Sequence, residues 1–228
     1  NPGASKSLML LQCLAHWIGQ GVPCACLMLE FPAMQKRRVM AQLTGEANVT
    51  DDEWCQANPE RVRELSAGLS GATADVCAAI EGLPDGTAPT ADALALWIEA
   101  KCAQGARIIA IDPISWMQKG AQSWEDDARF LFRAKRAIEG ARASLLLVNH
   151  IRTLPHGSKG QLALDDMCGG AAYRRFSQCV LFLTAHELRS GPVEEDAGVV
   201  EGDWTRTMLI AKSNFGAGQF HQYGFRFQ

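Results

Sequence analysis

The stretch Asn1-Pro2-Gly3-Ala4-Ser5-Lys6-Ser7-Leu8-Met9-Leu10-Leu11-Gln12-Cys13-Leu14 decides how the rest of the chain is read. Small residues end on Lys6-Ser7 and pass without a break into an apolar run, so a loop opens directly into a helix. The first N–H groups of a helix have no partner inside it, and its N-terminus carries partial positive charge, which together attract anions. The pattern is the tail of a phosphate-binding loop. Pro2, Gly3, Ala4, Ser5, Lys6, Ser7 and Leu8 are the candidate nucleotide-binding residues. Lys6 would reach the β- and γ-phosphates of ATP, and the Ser7 hydroxyl would ligate Mg²⁺. Two departures from Gly-x-x-x-x-Gly-Lys-Ser/Thr stand out. The first glycine, and the strand that precedes it, would lie ahead of Asn1. Ser5 occupies the place of the second glycine, which costs backbone freedom wherever that position needs a positive φ. A Ser/Lys loop that happens to start a helix is the plain alternative.

The chain has 228 residues, 47% of them hydrophobic and 21% charged, which is ordinary globular usage. The apolar runs near 8–14, 24–29 and 145–148 are far shorter than the roughly 18–20 residues of a membrane span, so a soluble, cytoplasmic chain with no membrane partner is expected. A formal charge of −3 excludes a globally basic nucleic-acid binder but leaves room for a local basic stripe. Of eight cysteines, Cys13, Cys24, Cys26, Cys102 and Cys179 sit in apolar segments and no Cys-x-x-Cys pair exists, which reads as buried free thiols. Asn48-Val49-Thr50 matches a glycosylation sequon, without meaning in a cytosolic chain.

After the first helix, Gly21-Val22-Pro23 turns the chain into a strand over 24–29 that ends on Glu30. Residues 31–82 read as helical, broken at Pro59 and Gly71, and 90–102 as an amphipathic helix with Leu94, Trp97 and Ile98 on one face. The β-branched run 107–111 closes on Asp112-Pro113 and predicts a buried parallel strand. Ser123 is the expected cap of a helix to Gly140 with Phe130, Leu131, Ala134, Ala137 and Ile138 at core spacing. Further strands are expected at 145–149, tipped by His150, at 179–184, at 207–212 and at 222–227, the last two joined by a hairpin turn at 214–218. Alternating strands and helices predict an α/β fold, a mostly parallel sheet flanked by helices with a C-terminal β-hairpin, in a single domain over 1–228. Ligands of such a sheet collect at the carboxyl edge of its strands. Glu30 and Asp112 both fall there: Glu30 is placed to polarise an attacking water, and Asp112 to hold Mg²⁺. A solvated acid at a strand end is the alternative for each. Trp17 and Trp97 fall at core spacing, whereas Trp116 and Trp124 are expected to be exposed.

With these residues in order, the sequence resembles the RecA-like P-loop ATPase domain of DnaB- and RepA-type replicative hexameric helicases of bacteria, plasmids and phages. The resemblance is carried by Pro2 to Ser7, Leu10-Leu11-Gln12, Leu29-Glu30-Phe31-Pro32 with Gln35, and Ile108 to Asp112. It continues through Leu147-Val148-Asn149-His150-Ile151-Arg152, Gly169-Gly170-Ala171 with Arg174, and Ile210 to Gly216. It implies that Glu30 is the catalytic base, that Asp112 is the Mg²⁺ acid, directly or through its water, and that His150 senses the γ-phosphate. It also implies that Lys212 enters a neighbouring subunit's site from the late hairpin. The arginine expected two residues further is Asn214. Arg174, Arg175 or Arg206 would then serve, or activation in trans is weak. The loop 153–166, with Arg152, His156 and Lys159, would follow single-stranded DNA by its phosphates, and Arg174 joins these as a DNA-binding candidate. A solvated surface loop is the alternative.

The resemblance therefore implies a Mg²⁺- and ATP-dependent motor domain that translocates on single-stranded DNA and unwinds duplex, in a homo-oligomer that is a hexameric ring, with a primase or helicase loader as further partner. A recombinase- or clock-protein-like RecA relative is one alternative reading. A degenerate nucleotide-binding scaffold without turnover, favoured by Ser5 and Asn214, is another.

Overall fold

Ile108-Ile109-Ala110-Ile111-Asp112 forms the strand around which the larger part of the chain is built. Ile109, Ala110 and Ile111 are each 0% exposed, as a parallel strand covered on both faces requires. In the computed structural model, which describes residues 5–68, 72–83, 87–151, 164–168, 170–185, 206–215 and 220–225, the elements fall into two compact units. One holds Ser7–Asn149, the other Asn1–Lys6 with His150–Gln228.

The first unit contains α1 (Lys6–Gly19, from Ser7 onward), β1 (Cys24–Met28), α2 (Pro32–Thr44), α3 (Asp52–Ala57), α4 (Pro59–Gly68), α5 (Ala72–Ala79), β2 (Ile80–Glu81), α6 (Ala91–Ala103), β3 (Ile108–Asp112), α7 (Ser123–Ala141) and β4 (Ser144–Leu147). Its sheet has the order β2-β1-β3-β4, every pairing parallel. Parallel neighbours demand crossovers, and the helices supply them. Leu10, Leu11 and Leu14 of α1 form one core cluster with Cys26 and Met28 of β1, Ala110 of β3, Val39, Val76 and Ile80. Helices α6 and α7 pack on each other, burying Leu94, Ala95 and Ile98 from one and Phe130, Leu131 and Ala134 from the other. Each Leu, Ile or Phe side chain among them contributes roughly 1.5–3 kcal/mol on removal from water, and each alanine less.

Polar contacts fix the connections. Thr90 caps α6, its Oγ1 accepting from Ala93 N at 3.2 Å. Arg133 of α7 reaches Asp92 and Glu99 of α6. The connection that follows Asp112 is tied down at three points: Ile114 N donates to Val148 O at 2.8 Å, Gly120 N to Asp126 Oδ2 at 2.7 Å, and Lys119 Nζ to the fully buried Asp127 at 2.9 Å.

The second unit contains α8 (Gly170–Phe176), β5 (Cys179–Ala185), β6 (Arg206–Ser213) and β7 (Gln222–Phe225), the strands forming an antiparallel sheet in the order β5-β6-β7. Val180, Phe182, Leu209 and Ala211 make its small core with Ile151, Leu164 and Met167 packed against them.

The α/β architecture with a parallel sheet and a C-terminal antiparallel element agrees with the sequence reading, as do the strands near 24–29, 107–112 and 145–149. Several details differ. Residues 31–82 end in a strand, β2, where only helix was expected; two residues are too few to show a period of their own. Ser123 is the first residue of α7 rather than its cap, and Gln122 holds the cap position without a side-chain hydrogen bond. The strand at 179–184 pairs antiparallel with β6, and its alternating burial is that of a sheet solvated on one face. Cys179 is accordingly exposed, against the expectation of a buried thiol; among the eight free cysteines Cys26 is buried and the other six are partly so. Trp116 and Trp124 are exposed, at 42% and 66%, as read from the sequence. No helix among the described residues is long and apolar enough to cross a membrane.

Candidate functional site

The parallel sheet sets the position of the first group of candidate residues. Met28, the last residue of β1, is in register with Asp112, the last of β3, and Leu29 N donates to Asp112 O at 2.8 Å. Glu30 follows immediately, so the two acids lie at the carboxyl edge of adjacent strands. Asp112 is 4% exposed, while Glu30 is half-buried. A short connection turns α1 back into β1, and α1 packs along the sheet through Leu10, Leu11 and Leu14. At 14 residues α1 is about 21 Å long, against about 17 Å for the five-residue β1, so its Ser7 end returns to the edge where β1 stops. Ser7, Glu30 and Asp112 are thus brought to one edge by topology.

Glu30 leads into a strained turn. Phe31 has φ 47° and ψ 57°, the left-handed region that a bulky residue rarely adopts, and its ring is 77% exposed. Pro32 then opens α2 and Gln35, in its first turn, is buried. Sequence reasoning quoted Phe31 and Gln35 as part of a motif without seeing this conformation. Beneath the edge, burial above all, and then the Asp112 carboxylate, push the Cys26 thiol well above its ordinary range. Cys24 beside it is pushed up by burial to about 11. Neither is a nucleophile at neutral pH.

The Ser7 hydroxyl and the Asp112 carboxylate are hard oxygen donors of the kind that suits Mg²⁺, and a buried carboxylate at a strand end is an apt partner for a cation. The residues present fit that ion.

The second group of candidates belongs to the other unit. Lys6, the last residue of its amino-terminal segment, is the first residue of α1; Leu8 continues that helix within the first unit, partly buried. Ser5 has φ 60°, so the position that the loop pattern gives to glycine is left-handed here with serine in it. That conformation costs a non-glycine residue about 1–2 kcal/mol. The Ser5 hydroxyl accepts from Arg206 Nε at 3.4 Å and from Arg206 Nη2 at 3.3 Å. Local sequence gave no sign of this pairing. His150 is exposed, and its carbonyl accepts from Cys168 N at 3.0 Å. Lys212 Nζ donates to Arg174 O at 2.9 Å and to Ser177 O at 2.6 Å, which sets Lys212 and Arg174 side by side at the C-terminal end of α8. Pro2, Gly3, Ala4, Arg152, His156 and Lys159 lie outside the described residues.

Three solved structures share this architecture along 99% of the chain. A DnaB-like replicative helicase, solved in a study of its interactions with primase, superimposes with a TM-score of 0.69 at 13% identity. The ATPase domain of another protein gives 0.64 at 13% identity, and the RadB recombinase 0.57 at 12%. The chain spans 55% of the helicase chain, 78% of the ATPase domain and 84% of the recombinase. No family model and no curated protein matches the sequence. The fold is therefore RecA-like, shared alike by the helicase, the ATPase domain and the recombinase.

Proposed function

We propose that this RecA-like chain hydrolyses ATP and couples the reaction to translocation on single-stranded DNA and to duplex unwinding, as the motor domain of a replicative helicase. The observation that supports the reading is the register of Met28 with Asp112, which puts Glu30 and Asp112 at the carboxyl edge of adjacent strands, the edge to which topology returns the Lys-Ser start of α1. Glu30 accepts the proton of a water and orients it for in-line attack on the γ-phosphorus. Lys6 and the first N–H groups of α1 stabilise the charge that moves onto the phosphate oxygens. Mg²⁺, held by Ser7 and Asp112, would neutralise charge on the β- and γ-phosphates. The loop from Pro2 to Ala4 would complete the phosphate cradle.

His150 would report the γ-phosphate to the DNA-binding segment, where Arg152, Lys159 and Arg174 contact the strand. A hexameric ring would bring Lys212 to a neighbouring nucleotide, and a primase or loader would dock on that ring. The reading draws support from the similarity to the DnaB-like helicase. It is tested by steady-state phosphate release from the full-length protein, with and without single-stranded DNA. Release stimulated by DNA is expected; ATP bound without any release would leave a nucleotide-binding scaffold instead.

The similarity to the RadB recombinase favours a second reading, a filament-forming RecA relative. Unwinding of a forked duplex separates the two, since only the helicase displaces the second strand.

A further inference from the structure

Gly82 follows β2 directly, and β2 runs parallel to β1 with Glu81 opposite Leu27. Its place is therefore level with Met28 at the carboxyl edge, on the flank of β1 away from Asp112. A Cβ added to Gly82 would stand 2.6 Å from Pro32 Cγ and 3.1 Å from Pro32 Cβ. Carbon atoms in contact rest at about 3.5–4.0 Å, so a side chain there would drive into the proline ring. The Gly82 backbone is not left-handed, so space alone asks for glycine at this position.

The ring has little room to step aside. A proline side chain closes on its own backbone nitrogen, which leaves only ring pucker to give. That nitrogen is bonded to the carbonyl carbon of Phe31. Beyond Pro32, α2 is rooted by the buried Gln35 and Val39, and before Glu30 the Leu29 N–H is held by Asp112 O at 2.8 Å. On the other side of the contact, Glu81 is fastened to Trp97 and Lys101 of α6, so the end of β2 is held too. Only Glu30 and Phe31 lie between the two anchors, and Phe31 is already left-handed with its ring in solvent. A strained residue of this kind persists where its surroundings over-determine it.

We infer that Gly82 is a positioning residue for Glu30: by leaving room for the Pro32 ring, it sets the Glu30-Phe31 turn and with it the carboxylate. The inference rests on the ATPase reading above, in which Glu30 orients the attacking water, and extends that reading to a residue that acts through Pro32 and Phe31.

The experiment compares the full-length wild type with Gly82→Ala, Pro32→Ala and the double variant. Phosphate release gives kcat, calorimetric titration with ADP gives affinity, and urea unfolding gives stability. Gly82→Ala should lower kcat about 10–100-fold, the scale of a small misplacement of a catalytic group, with ADP affinity unchanged. Pro32→Ala, which empties the same contact without a clash, should lose less. The double variant should turn over faster than Gly82→Ala, because the new methyl group takes the room that the ring vacates. A merely structural role would not produce that recovery, nor a fall in kcat with affinity intact. Circular dichroism establishes that each variant is folded, and Pro32→Ala carries the test if Gly82→Ala is not. Wild-type kcat in the folded variant that carries the test would overturn the inference and leave the ATPase reading standing. So would a double variant no faster than Gly82→Ala, or kcat and affinity falling together with the urea midpoint. A wild type that releases no phosphate would end both.

Discussion

Lys212 gives its ammonium group to the carbonyl of Ser177 at 2.6 Å and to that of Arg174 at 2.9 Å, so a strand residue caps the end of α8. The last carbonyls of a helix lack partners within it, and a cation there also meets the negative end of the helix dipole. Replacing Lys212 with methionine keeps most of the aliphatic stem and removes the donor. The expected cost is about 1–2 kcal/mol in urea unfolding, with faster amide exchange in α8. If Lys212 also serves a neighbouring nucleotide, as proposed, DNA-stimulated turnover should fall further than this destabilisation explains.

Glu30 and Lys6 are expected to separate chemistry from binding. Glu30→Gln removes the general base while keeping size and hydrogen bonding, so phosphate release should drop by about 10²–10⁴-fold with nucleotide still held. Lys6→Ala should lose both affinity and release. Turnover at the wild-type rate in either variant would remove that residue from the mechanism.

The left-handed Ser5 invites a comparison of two small replacements. Both Ser5→Ala and Ser5→Gly lose the hydroxyl that Arg206 touches, but only glycine also relieves the backbone. Ser5→Gly should therefore be the more stable of the two by about 1–2 kcal/mol, read as the difference between their unfolding free energies. Equal stabilities would mean that the turn relaxes without cost.

Glu81 ties the two-residue strand β2 to α6: Trp97 Nε1 donates to it at 2.9 Å and Lys101 forms an ion pair with it. Burial alone would raise its carboxyl, but the hydrogen bonds from Lys101 and Trp97, with the charges of Lys101 and Lys36, outweigh that and hold it below the usual range. A lowered folded-state pKa adds stability above the unfolded value of about 4.3, and this is lost as pH falls through the folded value. Glu81→Gln should thus destabilise the protein near neutral pH, by at most about 1 kcal/mol because the pair is partly exposed, and the difference from wild type should vanish in acid. Urea midpoints for both proteins across that range are the measurement.

Much of this was legible because the central strands announce themselves. Ile108 to Ile111 is a continuous apolar run closed by an acid, and 24–28 is nearly so; burial on both faces leaves no other composition. Leu94 and Ile98, and likewise Phe130, Leu131 and Ala134, repeat at helical spacing, and the structure buries them. From strand ends and one helix start, the meeting of Ser7, Glu30 and Asp112 follows by topology alone. Other features have no local signature. Ile80 and Glu81 look like the tail of a helix until β1 pairs with them. The pairing of Arg206 with Ser5 joins residues 201 apart, which no periodicity encodes. Phe31 enters the sequence reading only as part of the Leu29-Glu30-Phe31-Pro32 motif, because its left-handed backbone is imposed by the passage from β1 to a helix that starts with Pro32.

The brevity of β2 has a consequence for a chain proposed to gather in rings. A sheet border is a row of N–H and C=O groups onto which a stray extended segment can add, and long exposed borders nucleate aggregates. With only Ile80 and Glu81 there, the β2 border offers almost no template.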